Sequence, residues 1–311
     1  MSLRSSLRSA LSFAPLALLT TLSAVTFAVF FGGGFHSILA WLALQTLVPA
    51  AAFVVLAGTL VVTLRRRRGL TRLGLTAAVS LASMWPAAWL FGALSITYPY
   101  SIASSRPAAT VRLPTDAPMI VLWGGDDHAH NYHAAYPDQR WAYDLAVEPT
   151  LAGSARLEDY GCYGVPVVAP TSARVHLAHD GEPDETPGRL SGNVRAPLGN
   201  HVVLALDGGG YLVLAHLRRG SVVAREGDRV AEGAPLGACG NSGNTSEPHL
   251  HVHVQRQDPR GRPVGFSEGL PLYFRDHGGA PMPRGGIEVG SGRARATGDR
   301  VAHGGDRRAA R

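Results

Sequence analysis

The segment 240–255 reads GNSGNTSEPHLHVHVQ, with His249, His251 and His253 at every second position. Successive side chains of a β-strand point to opposite faces, so this alternation predicts a strand over His249–Gln255. His249 and His251 then project from the same face, and His253 lies one step further along. The Gly and Asn residues of 240–244 suit a tight loop that delivers the strand edge to a cleft.

Short apolar segments separated by Gly, Pro, Asn and Asp occupy the chain from about Asp116 to Asp276. This spacing is typical of strands joined by turns, and we find no sustained helical period in it. The connection Asp207–Gly210 has the composition of a hairpin turn. The expected fold is therefore an all-β domain with an antiparallel sheet and long loops. The other candidate strands are Met119–Trp123, Trp141–Val147, Val165–Ala169, Ala173–Ala178, His201–Leu206 and Tyr211–Leu217.

Three long apolar stretches precede residue 100, namely Leu11–Phe31, Ile38–Leu64 and Leu73–Tyr98. None of them contains Asp, Glu or Arg, and each is long enough to cross a hydrocarbon core of about 30 Å as a helix. A buried core helix or a signal peptide is the alternative for one such stretch. Three in succession favour an α-helical membrane region of three transmembrane helices.

Arginine is distributed unevenly along the chain. Residues 1–115 contain nine Arg and no acidic residue, and seven of these Arg lie before the first stretch or in the loop 65–72. Positively charged loops stay on the cytoplasmic side, so the N-terminus and the 65–72 loop are expected inside and the C-terminal domain outside. Residues 116–311 carry 20 Arg against 23 acidic residues, which argues against a nucleic-acid partner.

These patterns predict four parts: a membrane domain over 1–100, a linker over 101–115, the β domain over 116–276 and a tail over 277–311. The tail is rich in Gly, Ala and Arg with few large apolar side chains, so it is expected to be disordered. Cys162 and Cys239 lie in loops of the exported domain. An oxidising compartment permits a disulfide between them, and a free pair is the alternative.

Further polar residues complete a candidate metal site. Asp144 lies on one predicted strand, and His133 precedes it by eleven residues. His216 lies near the end of another strand. A catalytic zinc ion takes three protein ligands and keeps a fourth position for water. A carboxylate and a histidine, together with the pair His249 and His251, therefore predict a zinc site.

Asp144 is followed in the sequence by GVPVVAP at 164–170, LAHL at 214–217, EGDRVAEG at 226–233, LG at 236–237, GNSG at 240–243 and HLH at 249–251. In this order, these segments resemble the M23 family of zinc endopeptidases, the lysostaphin and LytM-like group. The resemblance covers about residues 125–257. It implies that Asp144 and His251 bind zinc, that His216 and His249 are catalytic, and that the substrate is a peptide stem or cross-bridge of peptidoglycan.

One position departs from the family pattern. The family usually has a third ligand histidine four residues before the aspartate, where this chain has Arg140, which cannot bind zinc. We favour His133 as the third ligand, because a loop of eleven residues can fold back to the metal. His128 and His130 are also close, and a surface histidine is the alternative reading of His133. For His253 we expect a supporting role beside the site in preference to ligation.

The sequence thus predicts a zinc-dependent metalloendopeptidase, multi-pass in the cytoplasmic membrane, whose catalytic domain acts on peptidoglycan at the outer face. Zinc would polarise the scissile carbonyl, His249 would accept the water proton and His216 would donate to the oxyanion, with these two roles exchangeable. The alternative is a catalytically inactive module that binds the wall or activates a hydrolase, which the departure at Arg140 favours. The bond cleaved, a regulatory protein partner and the oligomeric state are left open.

Overall fold

The computed structural model describes residues 3–67, 69–290 and 292–304, with residues 3–11 described by their backbone alone. The chain divides into two compact units, and the boundary lies between Ile96 and Thr97. The first unit is helical and the second is built mainly from strands. Arg68 of the predicted cytoplasmic loop lies outside the described residues.

The described part of the first unit consists of apolar helices. Two helical stretches, Ser12–Gly32 and Gly34–Arg66, have the length and composition needed to cross a membrane. The second stretch is interrupted at Thr46, where the backbone leaves the helical region. The helices are α1 (Leu3–Gly32), α2 (Gly34–Gln45), α3 (Leu47–Arg66), α4 (Leu70–Met84) and α5 (Ala87–Leu90).

The predicted third apolar helix over Leu73–Tyr98 is wrong in its extent. Helix α4 ends at Met84, two residues before Pro86, because proline has no backbone N–H with which to continue the helical hydrogen bonds. Its 15 residues span roughly 22 Å, which is shorter than a hydrocarbon core of about 30 Å. The described helices therefore confirm the apolar character of this unit, and three full-length spans stay a prediction.

The second unit is organised around one large sheet. Its strand order is β15-β2-β3-β10-β7-β6-β5-β8, with β11 paired to β10. The strands are β1 (Ala109–Arg112), β2 (Met119–Trp123), β3 (Tyr143–Ala146), β4 (Pro166–Val168), β5 (Ala173–His179), β6 (Asn200–Ala205), β7 (Tyr211–Leu217), β8 (Arg229–Val230), β9 (Pro235–Ala238), β10 (Leu250–Gln255), β11 (Gly269–Leu270), β12 (Leu272–Arg275), β13 (Ile287–Gly290), β14 (Arg293–Ala296) and β15 (Arg300–Val301).

All pairings of the large sheet are antiparallel, which confirms the predicted architecture. Each predicted strand is present, and the turn at Asp207–Gly210 joins β6 to β7. The pair formed by β1 and β12 is parallel and stands as an exception to the expected class.

The alternation of β10 separates its two faces. Leu250, Val252 and Val254 pack into the main hydrophobic core. His251 and His253 project from the opposite face and are nevertheless almost fully buried. The central position of β10, between β3 and β7, therefore places a row of imidazoles in the middle of the sheet.

Two of the predicted boundaries are wrong. The expected linker 101–115 contains β1, which pairs with β12 from the far end of the domain. The expected disordered tail is folded over the described part of 277–304: β13 and β14 form a hairpin, and β15 pairs with β2. Val301 of β15 is only 3% exposed and packs into the main hydrophobic core, so this Arg-rich segment also contributes to the core. Residues 305–311 lie outside the described residues.

Cys162 and Cys239 form a disulfide, with their Cα atoms 5.7 Å apart. Both residues are buried in the main core. The bond ties the loop before β4 to the end of β9, and the alternative of a free pair is wrong.

Candidate metal centre

The register of three adjacent strands assembles the centre. Asp144 on β3 lies directly opposite His251 on β10. Residues that oppose each other on paired strands project from the same face, so their side chains meet. The His251 Nδ1 atom lies 2.8 Å from Asp144 Oδ1. The Nε2 atom of His133 lies 3.6 Å from Asp144 Oδ2.

These three residues form a group whose ligand atoms all lie within 4.8 Å of one another. Two ligands of a tetrahedral zinc ion, each bound at about 2.0–2.2 Å, are separated by roughly 3.3 Å. The contacts of the two Asp144 carboxylate oxygens lie on either side of that separation: Oδ1 is 2.8 Å from His251 Nδ1, and Oδ2 is 3.6 Å from His133 Nε2. Two imidazoles with one carboxylate are a donor set that catalytic zinc sites use. The residues present therefore fit a zinc ion.

The ring of His133 is held in one tautomer by Asn131. The Asn131 amide nitrogen donates to the carbonyls of Gly125 and Ala142, which fixes its Oδ1 as an acceptor. This oxygen lies 3.0 Å from His133 Nδ1 and also accepts the His133 backbone N–H. The proton of the neutral ring therefore sits on Nδ1, and the Nε2 lone pair points towards Asp144. Sequence reasoning missed Asn131, although an Asn two residues before a candidate ligand is a recognisable turn signal.

His249 directs its Nε2 atom, which carries no proton in the neutral ring, towards the same centre. Its Nδ1 lies 2.7 Å from the carbonyl oxygen of Glu247 and must carry the proton, because a carbonyl can only accept. The Nε2 lone pair is therefore available, and it lies 3.6 Å from Asp144 Oδ1. The loop before β10 thus sets the tautomer of the first histidine in the His-x-His pair.

His216 reaches the centre through an unusual backbone conformation. Its φ of 63° is left-handed, a region that residues other than glycine seldom adopt. Its neighbour Ala215 lies opposite His251, so regular alternation would turn His216 to the other face of the sheet. Instead its ring centroid lies 4.8 Å from that of His249, and its Nδ1 lies 2.8 Å from the carbonyl oxygen of Ser242. Strained backbone of this kind concentrates at functional sites.

Burial favours neutral rings for His133 and His216 beside one ionised carboxylate. Burial lowers the pKa of His133 to about 3, against the opposing attraction of Asp144. Burial also lowers the pKa of His216, and the nearby His249 and His251 add to that effect. Burial alone would raise the pKa of Asp144, but the surrounding imidazoles outweigh it and lower that pKa. Neutral histidines and an ionised aspartate are the protonation states that bind a metal.

Arg140 and the two other nearby histidines point elsewhere. The buried Arg140 guanidinium donates to the Tyr98 carbonyl at 3.1 Å and to the Asp126 side chain at 2.9 Å. His130 is paired with Asp127 at 2.8 Å on the surface. His128 is partly exposed and does not belong to the metal-ligand group. The structure thus brings together all five predicted site residues. Of the three candidates for the third ligand, His133 is the one that lies beside Asp144.

The centre opens into a cleft of about 310 Å³. His133, His216 and His251 contribute to its lining, and Tyr136 and Val264 are more exposed parts of its wall. A concave site with convergent polar groups is the usual setting of an enzyme active site.

Residues 159–264 match the family model of peptidase family M23. The search of curated proteins found no match. Among solved structures, a protein described as a peptidase M23 from Pseudomonas aeruginosa is 18% identical over 50% of this chain and 49% of its own, with a TM-score of 0.29. The catalytic domain of the antimicrobial peptidase lysostaphin from Staphylococcus simulans is 18% identical over 49% of this chain and 86% of its own, with a TM-score of 0.29.

A zinc containing peptidase from Vibrio cholerae is 20% identical over 40% of this chain and 28% of its own, with a TM-score of 0.25. This chain therefore spans about half of the Pseudomonas protein and little more than a quarter of the Vibrio protein. The matched segment contains His216, His249 and His251, whereas His133 and Asp144 precede it. The similarity to peptidase family M23 therefore extends over residues 159–264, about a third of the chain.

Proposed function

We propose that the chain is a zinc-dependent endopeptidase that hydrolyses peptide bonds in peptidoglycan stems or cross-bridges. His133, Asp144 and His251 are the proposed zinc ligands, and His216 and His249 the proposed catalytic residues. The observation that carries the proposal is the convergence of two imidazoles and one carboxylate beside two further imidazoles, each of which directs its Nδ1 to a backbone carbonyl. Peptidoglycan is proposed as substrate because of the family match.

His249 and His216 would take part in the proton transfers and hydrogen bonds of the reaction beside the metal. A bound zinc ion would supply Lewis acidity and lower the pKa of a water molecule towards about 7. His249 would accept the proton of the attacking water through Nε2, because its Nδ1 is committed to the Glu247 carbonyl. His216 is held in the same tautomer by Ser242, so its Nε2 can donate to a developing oxyanion only after that nitrogen gains a proton. We therefore propose that the water proton goes to His249 Nε2 and that His249 returns it to the leaving amine. His216 would hydrogen-bond the oxyanion only in the form whose Nε2 has taken a proton from solvent.

The membrane location is a further part of the proposal. Ser12–Gly32 and Gly34–Arg66 would form two crossings, and Arg65 and Arg66 at the end of α3 would remain on the cytoplasmic side. The segment from α4 to α5, residues 70–90, would then form the third crossing and lead to an extracytoplasmic catalytic domain. A reporter fused after Ile96 should be active outside the cytoplasm, and activity confined to the cytoplasm would refute this topology.

The rival function is a catalytically inactive module that binds cell wall or activates another hydrolase. Arg140, at the position of the usual third ligand, is the observation in its favour. The placement of His133 beside Asp144 weighs against it, since the donor set is complete without a ligand at residue 140.

The test uses the full-length chain purified in detergent and incubated with isolated cell walls. We expect about one zinc per chain, release of new amino groups from the walls, loss of release after chelation and recovery when zinc is added. Asp144→Asn is the matched variant and should lose both zinc and activity. A chain that binds zinc, releases no peptides and stimulates a separate hydrolase would establish the rival function.

A further inference from the structure

One face of β10 carries a continuous chain of hydrogen bonds that begins at a proposed zinc ligand. His251 Nε2 lies 2.9 Å from His253 Nδ1, and His253 Nε2 lies 3.1 Å from Gln255 Oε1. The Gln255 amide nitrogen then donates to the backbone carbonyl of Gln257 at 2.8 Å. His251, His253 and Gln255 share this face because they occupy alternate positions of a strand.

The Gln257 carbonyl fixes the direction of every bond in the chain. A carbonyl can only accept, so the Gln255 amide nitrogen must face it and Gln255 Oε1 must be an acceptor. His253 Nε2 therefore carries a proton, and a neutral His253 offers the lone pair of Nδ1 to the Nε2–H of His251. If every hydrogen bond ran in the opposite direction, the lone pair of His253 Nε2 would face the lone pairs of Gln255 Oε1. Rotating the Gln255 amide would only move that repulsion to the Gln257 carbonyl.

The consequence falls on the other nitrogen of His251. When Nε2 carries the proton of the neutral ring, Nδ1 keeps its lone pair, and this is the atom that lies 2.8 Å from Asp144 Oδ1. All three side chains are at least nine-tenths buried, with exposures of 3%, 2% and 6%, so bulk water does not compete for these bonds. A ligand histidine whose second nitrogen donates to a fixed partner is oriented and made more basic.

We propose that His253 and Gln255 are positioning residues that hold His251 in the Nε2-protonated tautomer and so prepare Nδ1 to bind the metal. This inference rests on the proposed function, because it assumes that the centre binds zinc. Asn131 provides the equivalent support for His133 with a single amide, whereas His251 depends on a chain of two side chains ending in a backbone group.

The test measures the zinc dissociation constant of the full-length chain by chelator competition, together with the visible spectrum of its Co²⁺ form. His253→Phe keeps a planar ring but removes the acceptor, and zinc affinity should fall roughly 10–100-fold. His253→Gln can accept from His251 and donate to Gln255, so it should recover most of that affinity and the parent Co²⁺ spectrum. His201→Phe is the matched control, since His201 lies on β6 and does not belong to the metal-ligand group, and it should bind zinc as the parent does.

Unchanged zinc affinity in His253→Phe, or an equal loss in the Phe and Gln variants, would overturn the proposal and leave His253 as packing only. If His253→Phe does not fold, Gln255→Leu serves in its place, and zinc affinity equal to the parent's would overturn the proposal. A parent chain that binds no zinc would refute the proposed function as well. A parent that binds zinc with unaffected variants would refute only this inference.

Discussion

The identity of the third metal ligand is the sharpest prediction of the structure, because the resemblance to the M23 family leads us to expect a histidine where this chain has Arg140. We expect His133→Ala to abolish tight zinc binding. The His133 side chain is 1% exposed, its Nε2 lies 3.6 Å from Asp144 Oδ2, and Asn131 holds its Nδ1. An alanine at this position offers no donor atom.

The expected loss of zinc affinity follows from the contacts of the His133 ring. Removing an outer partner of a ligand histidine costs about 10–100-fold in metal affinity, so Asn131→Ala should fall in that range. Loss of the ligand itself should exceed it, which means a reduction of more than about 100-fold, or roughly 2.8 kcal/mol. His130→Ala should stay close to the parent, because His130 is exposed and paired with Asp127.

Chelator competition on the full-length chain gives these affinities, and thermal melting of the metal-free variants provides the control for folding. His128→Ala completes the series. If His128→Ala or His130→Ala loses zinc while His133→Ala retains it, the ligand assignment and the reasoning from the Asn131 hydrogen bonds are both refuted.

Three further predictions follow from the same geometry. His249→Ala should keep its zinc yet cleave cell wall at least roughly a hundredfold more slowly, as expected for loss of a general base; equal rates would refute the mechanism. In the metal-free chain, unfolded His133 gains a proton near pH 6.5, whereas the folded residue stays neutral down to a pKa of about 3. The free energy of unfolding, measured by chemical denaturation, should therefore fall as the pH drops from about 6.5 to about 3, with His133 contributing up to about 1.4 kcal/mol per pH unit. The pH dependence should be flatter in His133→Asn. Arg140→Met should lower the free energy of unfolding by about 1–3 kcal/mol, because the Tyr98 carbonyl loses a buried donor, without changing zinc stoichiometry; loss of zinc would contradict a purely structural role.

The sequence predicts the centre of the fold well because alternation and local spacing encode it. The strand that carries His251 and the strand that carries Asp144 both follow from a period of two, and the direct pairing of these two residues places them on one face. From the sequence, His133 could be preferred to His128 and His130 only because the loop between it and Asp144 is long enough to fold back to the metal. Its tautomer depends on Asn131, whose amide contacts Ala142, a residue eleven positions further along the chain.

The errors lie where the structure depends on non-local pairing. β1 is stabilised by a parallel partner, β12, that is more than 150 residues away, so its own sequence resembles a linker. The hairpin of β13 and β14 is held by backbone pairing with few large apolar side chains, which composition cannot distinguish from disorder. The left-handed backbone of His216 has no signal in the residue type. By contrast, the end of α4 near Pro86 could have been predicted.

The most direct test of the central claim is to locate the metal by anomalous diffraction at the zinc absorption edge, using crystals of the zinc-loaded full-length chain. We predict one strong peak about 2.0–2.2 Å from His133 Nε2, an Asp144 carboxylate oxygen and His251 Nδ1. His249 Nε2 should face the metal without binding it. A peak bound by His249 in place of His133, or the absence of a peak beside Asp144 in a zinc-containing crystal, would contradict the account.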